Sequence, residues 1–259
     1  TQLSSGVVDG TKKDVSCKGG SDGEVQVKFE GGTAPYQIEW SYNNTSSYIG
    51  ISALNSWGGT VETVSLGVTE THLFKNLKAG TYYVKFKDSK NCDNNIIGGV
   101  VTQFTIFEPN IALDASVNFN QQVSCFGGND GSITGFATGG WVGSYQYALD
   151  GGAFGLNNTF TGLSAGNHTL AVRDLQGCTK TVNFVITQPD QLTANLATST
   201  NTSCFGGNDG SATLSISGGT MPYRVSLDGG TTWVLTDINS ATAILTSLSA
   251  GAYNVYISD

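Results

Sequence analysis

Along most of this chain apolar and polar residues alternate in short runs: Val25, Val27, Phe29; Tyr82, Val84, Phe86; Leu170, Val172; Ala212, Leu214, Ile216; Val255, Ile257. A period of two places the apolar set on one face of a half-buried β-strand. Glycine-rich turns bound the runs, and no segment sustains a helical period. In the middle of the chain the alternation predicts about seven strands, including residues 132–137, 146–149, 167–173 and 180–187. Short strands with a turn signal every ~8–12 residues predict an all-β fold, an antiparallel sandwich of immunoglobulin-like type.

The pattern repeats. Cys125-Phe-Gly-Gly-Asn-Asp-Gly131 returns letter for letter as Cys204 to Gly210 and, loosened, as Cys17-Lys-Gly-Gly-Ser-Asp-Gly23. Each copy is followed by Gly31-Gly32-Thr33-Ala34-Pro35-Tyr36 or its counterparts at Gly139 to Tyr145 and Gly218 to Tyr223. Then come Leu-x-Ala-Gly and an alternating strand ending in Asp88, Asp174 or Asp259, with a second cysteine at Cys92 and Cys178. Three copies mean three repeated units, at 12–110, 111–190 and 191–259, joined at Glu108-Pro109 and Gln188-Pro189. Proline limits swivel at both junctions. The first unit is longer, and the excess falls at 41–72, which reads as an insertion.

The combination of CFGGNDG, GGTxPY, LSAGxYxV and DxxGC resembles the SprB repeat of very large surface adhesins in gliding Bacteroidetes, over nearly the whole chain. The resemblance implies a tandem array of three sandwiches, the third truncated. It also implies an extracellular segment, associated with the outer membrane through its parent protein, exported by the type IX secretion route and moved in gliding motility. The implied partners are neighbouring repeats of the same long chain, then other cell-surface proteins or polysaccharide.

Charge narrows the function further. A net charge of −8 argues against nucleic acid, because phosphate binding needs clustered Lys and Arg, and the last two units carry only Arg173, Lys180 and Arg224. No stretch approaches the ~18 apolar residues of a membrane-spanning helix.

In the repeat frame the five cysteines fall as two complete pairs and one left over. The expected disulfides are Cys17–Cys92 and Cys125–Cys178. Closing those loops would constrain the unfolded chain by roughly 4 kcal/mol each, and such bonds persist outside the cytoplasm. Cys204 is expected to be unpaired. The second cysteine follows the landmark leucine at the same distance in both complete units (77 to 92, 163 to 178), which projects Cys204's partner, from Leu248, to about position 263. The strand after it is likewise expected to be missing from the third unit, leaving an open sheet edge.

Three other features carry candidate chemistry. Asp22, Asp130 and Asp209 each precede a glycine; a turn role is the first expectation, with a Ca2+ site as the alternative and Asp88, Asp174 and Asp259 as second carboxylates. No cofactor is required. Gly162-Leu163-Ser164-Ala165-Gly166 matches a nucleophile elbow, but the frame replaces its serine by Lys78 in the first unit, so no enzyme is expected, and His168, aligned with Tyr82 and Tyr253, is expected to fill space. His72, beside Glu70, reads as a surface residue. Within the insertion, Tyr42, Tyr48 and Trp57 are candidate ligand contacts, while Val61, Val64, Leu66 and Val68 suggest extra strands. The rival function is a carbohydrate-binding array of a secreted polysaccharide-degrading enzyme. It would need a repeated aromatic platform, yet Trp57, Trp141 and Trp233 fall at non-equivalent positions.

Overall fold

A computed structural model describes residues 4–8, 10–33, 36–43, 49–50, 60–66, 69–90, 92 and 102–259. All regular structure among them is β. Two compact units make up the chain: Thr1–Ala115 with Ala137–Gln146 and Val172–Lys180, and Ser116–Phe136 with Tyr147–Ala171 and Thr181–Asp259. Their boundaries do not fall at the ends of the sequence repeats, because three segments of the middle repeat (111–115, Ala137–Gln146 and Val172–Lys180) belong to the same unit as the first repeat.

The first repeat and the residues before it contribute β1 (Ser4–Val7), β2 (Gly23–Glu30), β3 (Gln37–Tyr42), β4 (Ile49–Gly50), β5 (Thr60–Leu66), β6 (Thr69–Leu77), β7 (Gly80–Lys87) and β8 (Thr102–Ile106). They form two antiparallel sheets, β1-β2-β6-β5 and β4-β3-β7-β8. The inward residues of both make one core: Val25, Val27, Phe29 and Phe74 from one sheet, Ile38, Trp40, Tyr82, Val84, Phe86, Phe104 and Ile106 from the other. The edge-to-face pair Phe29–Phe86, at 4.6 Å, bridges the layers; such a contact adds ~0.5–1.5 kcal/mol beyond simple burial. Strand β5 pairs with β6 in unbroken register from Thr60↔Lys75 to Leu66↔Thr69. It is the expected elaboration, an added edge strand carrying Val61, Val64 and Leu66, while Val68 lies outside the described residues.

The middle repeat has six strands: β9 (Asp114–Gln121), β10 (Gly131–Thr138), β11 (Gln146–Leu149), β12 (Thr159–Leu163), β13 (Gly166–Arg173) and β14 (Thr179–Ile186). They form sheets β12-β10-β9 and β11-β13-β14. The third has β15 (Thr193–Thr200), β16 (Gly210–Ser217), β17 (Tyr223–Ser226), β18 (Leu235–Ile238), β19 (Thr242–Leu248) and β20 (Tyr256–Ser258), in sheets β15-β16-β19 and β18-β17-β20. Its core joins Leu214, Ile216, Ala243 and Leu245 of one sheet to Tyr223 and Val225 of the other. No sheet among the described residues crosses Pro109 or Pro189. In the third repeat β20 stands at the sheet edge, where the first two repeats carry β8 and β14 outside the equivalent strand.

Candidate functional site

The repeated letters converge on two loops per unit. In the cysteine loop, Gly20 N–H donates to Cys17 O (2.9 Å), Gly128 to Cys125 O (2.9 Å) and Gly207 to Cys204 O (3.0 Å). The aspartate closes it: Asp22, Asp130 and Asp209 each accept through Oδ1 from the amide of Ser16, Ser124 and Ser203, at 2.9, 3.0 and 3.0 Å. Gly19, Gly127 and Gly206 have φ of +77°, +74° and +78°, the left-handed region where a side chain is strained. The last glycine is required by crowding, since a Cβ on Gly131 would lie 2.8 Å from Leu163 O and one on Gly210 2.8 Å from Leu248 O. Each cysteine loop therefore enters its strand through a bulge opposite the landmark leucine.

These bonds also set the carboxylates' titration. For Asp22 burial pushes the pKa up, but hydrogen bonds from Ser16 and the nearby Lys13 charge prevail and hold it below the ordinary value. Hydrogen bonds from Ser124 and Ser203 depress Asp130 and Asp209 in the same direction. The second oxygen is engaged in two of the three, with Lys13 Nζ at 3.5 Å from Asp22 Oδ2 and Gln121 Nε2 donating to Asp130 Oδ2 at 2.7 Å. Among the described residues no three His, Cys, Asp or Glu side chains are grouped to hold a metal ion. In all three aspartates, Oδ1 closes the turn.

The second loop belongs to the terminal aspartate. Asp88 and Asp174, both buried, accept through Oδ1 from the amides of Lys90 and Cys92, and of Gln176 and Cys178, at 2.9–3.0 Å. Through Oδ2 they accept from Thr33 N (3.2 Å) and Trp141 N (2.8 Å), as Asp259 does from Thr220 N (2.8 Å). For Asp88 burial raises the pKa, and the amides of Cys92, Lys90 and Thr33 more than offset it, for a net lowering. These residues, considered above as second calcium carboxylates, tie the Gly-Gly turn to the second-cysteine loop in the first two repeats. The landmark tyrosines complete the turn, with Tyr145 and Tyr223 hydroxyls donating to Gly139 O and Gly218 O at 2.7 Å and Tyr36 to Gly31 O.

The cysteine pairing differs from the sequence expectation. Cys17 is bonded to Cys178, with Cα atoms 5.2 Å apart and a sequence separation of 161. Cys92, Cys125 and Cys204 are free and exposed. Neither Cys17–Cys92 nor Cys125–Cys178 forms; the first cysteine of one repeat reaches the second cysteine of the next. Around this bond Trp141 Nε1 donates to Val15 O at 2.8 Å, Gly19 N donates to Glu108 Oε2 at 2.6 Å, and Lys18 Nζ to Asn110 O. Gly140 N in turn donates to Ile111 O at 2.9 Å. The residue before each linker proline thus grips the cysteine loop behind it, and the Gly-Gly turn grips the linker ahead. The same grips recur at the next junction, where Gly127 N donates to Gln188 Oε1 (2.8 Å) and Gly219 N to Asp190 O (2.8 Å).

The remaining candidates are used by the fold. Tyr42 is half-buried, its hydroxyl donating to Ala79 O at 2.7 Å and its ring 5.1 Å from Tyr82; Tyr48 and Trp57 lie outside the described residues. His72 is not a surface residue: it is 2% exposed, edge-on to Phe29 at 5.3 Å. Ser164 lies between two strands rather than on a strand-to-helix elbow. His168 approaches the Ser164 backbone carbonyl (Nε2···O 3.0 Å) and pairs through Nδ1 with Asp150 (2.7 Å). Trp233 lies under the Arg224 guanidinium at 4.6 Å.

Fold and loops define a class: tandem immunoglobulin-like β-sandwich repeats fastened to one another at their junctions. The SprB repeat family matches three regions of the chain, residues 10–45, 119–154 and 196–232. SprB repeats point to a cell-surface adhesin-type segment, extracellular and structural in character. No curated protein matches the chain in sequence. Among solved structures, a marsupial T cell receptor is similar at 13% identity over 99% of this chain and 95% of that one, with a TM-score of 0.37. The complex of Dpr2 Ig1-Ig2 with DIP-Theta Ig1-Ig3 is similar at 11% over 100% and 95%, with 0.32. The S-layer protein rSbsC(31-844) is similar at 11% over 98% and 52%, with 0.31. No helix among the described residues is long and apolar enough to cross a membrane.

Proposed function

We propose that this chain is a force-transmitting spacer within a long surface adhesin, of the kind that gliding Bacteroidetes export by the type IX route, hold at the outer membrane and move to pull the cell over a surface. The observation that supports it most is the Cys17–Cys178 bond between consecutive repeats. Tension entering before Cys17 and leaving after Cys178 passes through the two sulfurs, so the fold between them carries none of it. Adhesive contacts then lie elsewhere along the filament or are shared over many repeats. The spacer needs no bound ion, and melting in excess chelator is expected to match melting in calcium.

Pulling single molecules from their ends tests this. With the disulfide intact, the 161 residues it spans stay hidden; with reductant present they add roughly 550 Å of contour length, at ~3.4 Å per residue. Equal extension in both conditions would remove the shielding. In a gliding cell, replacing the repeats by a flexible linker of equal length should leave export intact and impair movement over surfaces. Tight sugar binding on a glycan array, abolished by Trp233→Ala, would instead favour the carbohydrate-binding array.

A further inference from the structure

We infer that the two cysteine loops are the complementary halves of one covalent coupling between consecutive SprB repeats, and that the free thiols of Cys92, Cys125 and Cys204 are unpaired halves of the same coupling. The partner is another SprB repeat presenting the opposite loop. In the closed coupling the donor half is the loop of Cys17 and the acceptor half is the loop of Cys178, one repeat further on.

The free cysteines sort cleanly into these two halves. The loops of Cys125 and Cys204 reproduce the donor geometry, each with the cysteine carbonyl receiving the third-following amide and the aspartate Oδ1 receiving the preceding serine amide. The loop of Cys92 reproduces the acceptor geometry: Asp88 Oδ1 receives Cys92 N at 2.9 Å and Asp88 N donates to Cys92 O at 2.9 Å, as Asp174 Oδ1 receives Cys178 N at 2.9 Å and Asp174 N donates to Cys178 O at 3.0 Å. Both free donors stand exposed beside an exposed apolar side chain, Phe126 at 54% and Phe205 at 109%. Where the coupling is closed, the corresponding residue is Lys18, and it is tied down on Asn110 O. In the closed bond the donor belongs to the earlier repeat and the acceptor to the next, an order that leaves Cys92 to take the donor loop of a preceding repeat, and Cys125 and Cys204 to take the acceptor loop of a following one. The second cysteine closes no loop within its own repeat.

Each closure forms one S–S bond from two thiols and releases two protons and two electrons. A small-molecule disulfide outside the cytoplasm takes them up and leaves as two thiols.

The test uses the 259-residue chain itself, whose Cys92 is a free acceptor and whose Cys125 and Cys204 are free donors. Incubated in a glutathione disulfide buffer and mapped by non-reducing peptide mass spectrometry, it is expected to retain Cys17–Cys178 and to form reductant-sensitive oligomers. Their cross-links should join Cys92 of one copy to Cys204 of another, because the grips of the second junction hold the chain's own third repeat beside the Cys125 loop. Docking of matched loops raises the local thiol concentration, so donor–acceptor peptides should exceed donor–donor peptides (Cys125–Cys204, Cys204–Cys204) roughly tenfold. Cys92→Ser, a change at an exposed position, should abolish the oligomers and leave Cys17–Cys178 intact. Donor–donor and donor–acceptor links in equal amounts, no inter-copy links at all, or Cys17–Cys92 and Cys125–Cys178 within one chain would each overturn the coupling.

Discussion

The indole nitrogen of Trp141 donates to the carbonyl of Val15 at 2.8 Å, across 126 residues of sequence and from one repeat to the one before it. Val15 is fully buried, and its own amide donates to Phe107 O at 2.9 Å, so the bond anchors a backbone already fixed to the linker. Trp141→Phe keeps most of the ring and removes the donor. A buried carbonyl left without its partner costs about 1–3 kcal/mol, and that loss should appear in denaturant unfolding followed at the first repeat. An unchanged midpoint would mean that water or a neighbouring donor replaces the indole.

Gly140 offers a test of the loop that Asp174 closes. Its φ is +62°, and a Cβ there would sit 2.5 Å from Asp174 Oδ2, the oxygen that holds Trp141 N. Gly151 has a φ of +75° and nothing within 4 Å of an added Cβ. Gly151→Ala should therefore cost only the left-handed backbone penalty, about 1 kcal/mol. Gly140→Ala should cost roughly 2–4 kcal/mol, because it displaces the carboxylate as well. Equal losses in the two variants would show that the carboxylate moves aside freely.

The period-two pattern and the repeated glycines made the strands legible: 146–149 and 167–173 correspond to β11 and β13, and the turn role of Asp130 follows from its place before Gly131. The cysteine pairing was not legible, for a physical reason. A repeat frame aligns a bond inside each unit and a bond to the next unit identically, since both join a first cysteine to a second. Only the approach of the loops in space separates them. Trp141 was hidden for the opposite reason, because it stands where the other repeats have Thr33 and Thr220, so the frame gave it no role. The burial of His72 could have been found: Thr71, His72, Leu73 and Phe74 alternate, and His72 shares its inward face with Phe74.

His168 stands where the other repeats have tyrosines whose hydroxyls donate to a carbonyl four residues back, Tyr82 to Lys78 O at 3.0 Å and Tyr253 to Ser249 O at 2.9 Å. Hydrogen bonds to Asp150 and to Ser164 O raise the His168 pKa above its ordinary 6.5. Asp150 is held below 3.8, burial opposing and the bonds from His168 and Thr169 prevailing. The histidine's raised value contributes stability that is full below pH 6.5 and lost as pH rises through the folded value. The aspartate's contribution is full above 3.8 and lost as pH falls through its own folded value. Between those limits the pair is complete. His168→Tyr should retain the bond to Ser164 O and flatten the melting temperature above pH 6.5, where the unsubstituted chain declines. A parallel decline in both proteins would assign the pH dependence to other groups.

The third repeat has a cleft of about 660 Å³ between its sheets, lined by Leu214, Leu245, Leu248, Tyr253, Val255 and Ile257. In the first two repeats the last strand brings a phenylalanine and an isoleucine inward two residues apart, Phe104 with Ile106 and Phe184 with Ile186. Residues two apart on a strand share a face, and an added Cβ on Gly23 or Gly131 would meet Ile106 at 2.7 Å or Ile186 at 3.0 Å. At Gly210 the three atoms nearest the corresponding position belong to Leu248, Thr200 and Thr202. A synthetic peptide of the β14 sequence, Thr179–Ile186, should therefore add to the β20 edge and fill the cleft. Burying the two side chains gains roughly 1.5–3 kcal/mol each and the ladder adds hydrogen bonds. Ordering a free peptide offsets much of this, so binding on the order of 10–100 μM is expected. A rise in the melting temperature of the third repeat, and protection of β20 amides in hydrogen exchange, would register it. The same peptide with Asp at the positions of Phe184 and Ile186 should do neither; if it binds equally well, the edge is pairing backbone alone and the cleft does not select its strand.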